Sequence, residues 1–324
     1  PFHFEIYFGR QSERDDYYQS CLTEAREADG PIVRQLFGWC DIFCPLAVDS
    51  EEETYLYAGQ FLREPPTWEF LADRWRELAK AEPAGANPDF VRFVKMALTL
   101  PVLEPSVVEG LGDFISLYAK FLGAEDEETL HAQIDEVNGK VFDRLWPIDD
   151  WVRLAISPEK FQLTPWGLEG ELADWMKTGM GISRLPTTAI ALMPVDPPNS
   201  KLDPTQLLVR NAEIQRACVA FARSLPETAA TPLQDYGVSI ITSVKRGKSA
   251  ARARVELRER ARAFQEFVRE SFNVPCVVGI GNSAPPGGRL HESHREAVLT
   301  LHMCVQLDQT ILFHDEHDEG EHGH

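Results

Sequence analysis

The chain has 324 residues, 44% of them hydrophobic and 10% aromatic, enough to pack two cores without metal or disulfide staples. Its formal charge of −19 repels polyphosphate and argues against direct nucleic-acid binding through this chain, so any DNA contact needs another domain or a partner. No apolar run approaches the ~20 residues that cross a bilayer, and Pro1-Phe2-His3-Phe4 is no basic-then-apolar signal, so the expectation is a cytoplasmic protein without a membrane partner.

In chain order, a helical segment around Asp15 to Asp29 precedes two strand-length apolar runs, Trp39 to Val48 and Tyr55 to Phe61. Amphipathic helices follow over Pro66 to Ala81, Asn87 to Leu98 and Glu104 to Leu122. In the last of these Phe114, Leu117, Tyr118 and Phe121 recur at helical spacing, facing either a sheet or a second subunit. Residues 124–184 read as a helical connector broken at Pro147, Pro158 and Pro165. Then come an apolar run Thr187 to Met193, a helix within Thr205 to Leu225, a run Val238 to Thr242, a long helix Ser249 to Phe272, and a run Cys276 to Ile280. A helix Glu292 to Leu307 and a last run Thr310 to Phe313 complete the series. The fold class is α/β (α+β), with a sheet in the second half covered by helices on one face.

Six cysteines are scattered, three of them inside periodic apolar stretches, as reduced core cysteines are. Cys40 and Cys44, with Cys21 nearby, are weak metal candidates, because no second closely spaced pair accompanies them. No cofactor is expected.

The segment Val277-Val278-Gly279-Ile280-Gly281, the helix carrying Ser293, Glu296 and Ala297, and the strand Ile311-Leu312-Phe313 together resemble the end of the GGDEF-like domain of CdaR- and YesN-type bacterial regulators. That resemblance covers 185–315. It implies a degenerate domain, since Leu233-Gln234-Asp235-Tyr236-Gly237 stands where cyclases carry the glycine pair and metal acids. Asp196 corresponds to the other metal acid, but the phosphate-binding signature after it is Pro197-Pro198-Asn199-Ser200-Lys201. Residues 1–123, through Gly38 to Val48 and Leu56 to Leu62, resemble PocR-type sensory domains, which implies a PAS-like fold that binds a small molecule. PocR-like plus GGDEF-like domains occur in AraC-type transcription regulators, where a helix-turn-helix region of about a hundred residues follows. No such region is expected within this chain, and residues 316–324 form an acidic, His-rich tail that either chelates a metal or serves as an unstructured linker.

The expectation is therefore a ligand-sensing, dimerising, catalytically inactive part of a regulator, with a small-molecule effector and a second copy of the chain as partners. Trp39, Cys40, Asp41, Phe43, Tyr55, Tyr57 and Phe61 are the ligand-binding candidates. Each aromatic among them reads equally as ordinary core. The alternatives are a nucleotide-binding, cyclase-like module using Asp196 and backbone near Gly237, and a scaffold without a ligand. Arg254, Arg258 and Arg262 align at intervals of four, which suits either an acidic partner or a solvated face relieved by Glu256, Glu259 and Glu266.

Overall fold

The computed structural model describes residues 2–28, 30–46, 54–122, 156, 181–184, 186–196, 201–244, 249–284 and 290–316. The connector expected at 124–184 thus lies outside the described residues, apart from Ile156 and 181–184, and so does the tail beyond Glu316. The chain divides into two compact units, Pro1–Leu145 with Leu202–Val209 and Trp146–Lys201 with Arg210–His324. Both mix helices with a sheet, so the fold class is α/β as expected.

The first unit runs α1 (Phe2–Tyr7), α2 (Gln11–Ala28), β1 (Ile32–Leu36), β2 (Trp39–Pro45), β3 (Tyr55–Phe61), α3 (Trp68–Ala79), α4 (Pro88–Leu98) and α5 (Pro105–Leu122). Its three strands form an antiparallel sheet in the order β1-β2-β3, with a bulge in β3 at Gln60, opposite Cys40 and Asp41 of β2. Alternation along β2 sends Cys40, Ile42 and Cys44 to the face packed by Val108, Ile115 and Ala119 of α5. Phe43 takes the opposite face, against Cys21 and Ala25 of α2. Trp39 joins a third cluster, with Leu71 and Trp75 of α3 and Phe90 and Phe93 of α4, where each fully buried side chain contributes about 1.5–3 kcal/mol. Those two helices start where capping chemistry dictates: Thr67 Oγ1 accepts from Phe70 N at 3.2 Å. Asn87 Oδ1 likewise accepts from Asp89 N at 3.0 Å, just ahead of Pro88 at the first helical position.

The second unit runs β4 (Thr188–Pro194), α6 (Pro204–Ala222, which belongs to this unit from Arg210 on), β5 (Thr228–Leu233), β6 (Gly237–Thr242), α7 (Ala250–Phe272), β7 (Cys276–Ile280), α8 (Leu290–Gln306) and β8 (Ile311–Phe313). The strand order is β5-β6-β4-β7-β8, antiparallel except for the β7–β8 pair, which α8 connects as a parallel crossover. Ile190 and Leu192 of β4 face Ile214 and Cys218 of α6 and Leu257 and Phe264 of α7. Ala189 and Ala191 face Ala297 and Leu301 of α8. The expectation of helices on one face is therefore corrected, since α6 and α7 cover one face and α8 the other. The physical reason lies in the strands: β4, β6 and β7 are unbroken small or apolar runs, which is how strands buried on both faces are written.

Candidate functional site

In the first unit, the charge chemistry gathers where α1 and α2 meet the middle of β2. Asp41 lies opposite the bulge in β3 and is fully buried, as are Glu5 of α1 and Arg14 of α2. Arg14 Nε donates to Glu5 Oε2 at 2.5 Å, its NH2 donates to Glu5 Oε1, and its NH1 donates to Asp41 Oδ2 at 2.9 Å. Tyr57 donates to Asp41 Oδ1 at 2.7 Å and Tyr17 to Asp41 Oδ2 at 3.2 Å. The guanidinium also lies over the Tyr17 and Tyr18 rings, at 5.1 and 5.3 Å from their centroids.

Two carboxylates share one guanidinium, and further donors complete the network, the two phenols to Asp41 and Gln60 Nε2 to Glu5 Oε1 at 3.4 Å. Burial works against the charge on Arg14, but Glu5 and then Asp41 outweigh it and hold the group protonated. Burial, reinforced by Asp41, pushes the Tyr57 and Tyr17 phenols up, so both stay protonated as donors. Gly59 opposes Asp41 across the sheet, and a Cβ there would collide with Asp41 Oδ1 and lie 3.0 Å from the Tyr57 hydroxyl. The glycine is what lets the carboxylate and the phenol meet.

The seven ligand-binding candidates divide between the faces of this sheet. Asp41, Phe43 and Tyr57 come together on the α2 face, where the Phe43 and Tyr57 rings are 5.4 Å apart, and Tyr55 packs beside Phe43. Cys40 and Phe61 lie on the α5 face, and Trp39 is edge-on to Phe70 and Phe93 in the helical cluster. One cavity does not hold all seven. Sequence reasoning missed Glu5, Arg14, Tyr17 and Tyr18, because a helix rich in Asp, Glu and Tyr reads as a solvated face until its partner strand is known.

Cys21 is likewise separated from Cys40 and Cys44 by the sheet, and burial pushes all three thiols up, away from the thiolate that a metal requires. Among the described residues no group of three His, Cys, Asp or Glu could hold a metal. A cleft of about 340 Å³ opens on the α5 face, lined by Pro31, Val33, Arg63, Val108, Glu109 and Asp113. None of the seven candidates lines it.

In the second unit, the positions compared with cyclase residues are committed to internal contacts. Asp196, just past the end of β4, is ion-paired with Arg210 of α6. Residues 233–237 make the β5–β6 hairpin, and Gln215 Nε2 donates to the Gln234 and Gly237 carbonyls at 2.8 and 2.9 Å. Gly237 is close-packed, since a Cβ there would strike the Leu192 carbonyl.

Gly279 and Gly281 permit α8 to lie against β7: a Cβ on Gly279 would sit 2.9 Å from Leu301 Cα, and one on Gly281 2.8 Å from Ser293 C. Ser293 Oγ accepts from Ala189 N at 2.9 Å and a Glu296 carboxylate oxygen accepts from Asn282 N at 2.8 Å. The glycines, the serine and the glutamate that carry the resemblance are thus one helix-on-sheet joint.

Ser239 Oγ and His294 Nε2 lie 2.9 Å apart, the spacing of a nucleophile and its base. Ser239 is fully buried, however, and burial lowers the half-buried His294 to about 4. Arg254 pairs with Asp315 at 2.7 Å and Glu316 at 3.0 Å, Arg258 pairs with Glu316 at 2.9 Å, and both lie over the Phe313 ring. The acidic partner of this arginine face is the chain's own turn after β8.

Comparison with protein-family models finds no match to this chain, and comparison with curated proteins finds none either.

Proposed function

We propose that this chain is the ligand-sensing part of a bacterial transcription regulator, without catalytic activity and acting as a homodimer, with any DNA contact made by another domain or partner. The observation that carries the reading is the commitment of the second unit's cyclase-like positions to structure. Arg210 already neutralises Asp196, and the 233–237 hairpin is tied down by Gln215 and close-packed at Gly237 rather than left open for a nucleotide. A domain so arranged transmits or dimerises; it does not turn over GTP. The first unit supplies the sensing surface, and exposed Leu299, Val305 and Leu307 on and just after α8 supply apolar area for a second copy.

The test is thermal unfolding of the purified chain against a metabolite panel and against GTP with magnesium, since a ligand of the folded state raises its melting temperature. The expected result is a rise with a metabolite, none with GTP, and no cyclic dinucleotide formed. A GTP-dependent rise that disappears in Asp196→Ala would replace this reading by the nucleotide-binding one. Light scattering on the same sample should give twice the 36.6 kDa chain mass.

A further inference from the structure

We propose that the cleft between α5 and β1 is the effector site and that it takes a small zwitterion, an organic molecule with a short apolar body, a carboxylate at one end and an ammonium at the other. The proposal rests on the sensing reading above and supplies its ligand class.

Three observations support it. First, Arg63, Glu109 and Asp113 all line the cleft, all are exposed, and none enters an ion pair among the described residues. Opposite charges thus flank an apolar floor of Pro31, Val33 and Val108 without neutralising one another. A carboxylate fits the guanidinium in the two-pronged geometry that arginine favours, and an ammonium fits between the two acids. A simple cation would be repelled by Arg63, and a simple anion by Glu109 and Asp113, so the zwitterion is the class that leaves no charge opposed.

Second, Glu109 and Asp113 are four residues apart on α5, where side chains are neighbours and like charges destabilise a helix. A bound ammonium relieves that repulsion.

Third, Gly112 lies between them and lines the cleft. Glycine within a helix is costly, and whereas collision explains Gly59, Gly237, Gly279 and Gly281, a Cβ on Gly112 would approach Pro31 Cγ at only 3.8 Å, an ordinary contact. What the missing side chain provides is open space in the cleft. The volume of about 340 Å³ is at the small end of ligand sites, which suits a molecule of amino-acid size. Arg63 also reaches the Cys40 thiol, whose burial-driven rise it opposes, and so links the cleft to β2 one residue from Asp41.

The probes are L-valine, 4-aminobutanoate and 6-aminohexanoate, which space the two charges progressively, with butyrate and butylamine as single-charge controls, titrated calorimetrically into the full chain. At least one zwitterion should bind, with both controls at least about tenfold weaker. Arg63→Gln and Asp113→Asn should each weaken it about tenfold, and Gly112→Leu should abolish it by filling the cleft. Binding by none of the three zwitterions, or binding unchanged in Arg63→Gln, overturns the proposal. A different metabolite that binds independently of Arg63 overturns this site while leaving the sensor reading intact, whereas failure of every metabolite in the panel sinks both. The Arg63 and Asp113 side chains are exposed, so their variants remain informative should Gly112→Leu fold poorly.

Discussion

Arg14 holds together a charge arrangement that has no slack: its side chain is 1% exposed, between Glu5 and Asp41 at 0% each. Removing one member of a buried ion pair leaves the other charge desolvated, at a cost of about 3–5 kcal/mol. Arg14→Met should therefore lower the urea midpoint of unfolding by an amount corresponding to that range. Arg14→Lys should recover only part of it, because a single ammonium cannot span both carboxylates as the guanidinium does. A midpoint unchanged in Arg14→Met would mean that the network is solvated in solution. Of this cluster, Asp41 and Tyr57 were legible in the sequence, as a polar and an aromatic residue in strand-like apolar runs. Their partners were not, because Glu5 and Arg14 lie far from the strand in sequence and carry residue types that normally face water.

Among the elements, the helix-on-sheet joint at β7 and α8 is the place where a single methyl decides packing. Gly281→Ala pushes a Cβ into the Ser293 carbonyl, an overpacking that typically costs about 1–3 kcal/mol, whereas Gly112→Ala meets only an ordinary contact and gains about 0.5–1 kcal/mol of helix preference. The two alanine variants should thus move the melting temperature in opposite directions, and a shared direction would contradict the packing described for α8. Most of the long periodic helices and continuous apolar strands were readable within a residue or two, with Asn87 and Ser249 at two helix starts as capping chemistry requires, but α2 begins four residues before Asp15, β2 ends three before Val48 and α6 three before Leu225. Three short elements were not readable. β1 (Ile32–Leu36) carries Arg and Gln at its centre, β5 (Thr228–Leu233) contains two alanines and a proline, and α1 (Phe2–Tyr7) is a single aromatic-rich turn and a half. Each is specified by the neighbour it packs against rather than by its own periodicity.

Across the whole molecule, all six cysteines are free and buried, in both units. Burial pushes Cys218 and Cys276 up to about 12 and Cys304 up to about 11, and raises Cys21, Cys40 and Cys44 as well. A thiol reagent at neutral pH should therefore find no rapidly reacting group in the native chain and six in denaturant. A fast-reacting thiol in the native protein would locate a core that opens.

The alternation of β2 has one more effect. Neighbouring residues along it point to opposite faces, so sliding β2 by a single position would carry the Asp41 carboxylate to the apolar face packed by Val108, Ile115 and Ala119 of α5, away from Arg14 and both phenols. A one-residue misalignment of the sheet is thus marked by an orphaned charge. Asp41 works as an index pin that makes the correct alignment of three strands distinguishable from its near neighbours as the chain folds.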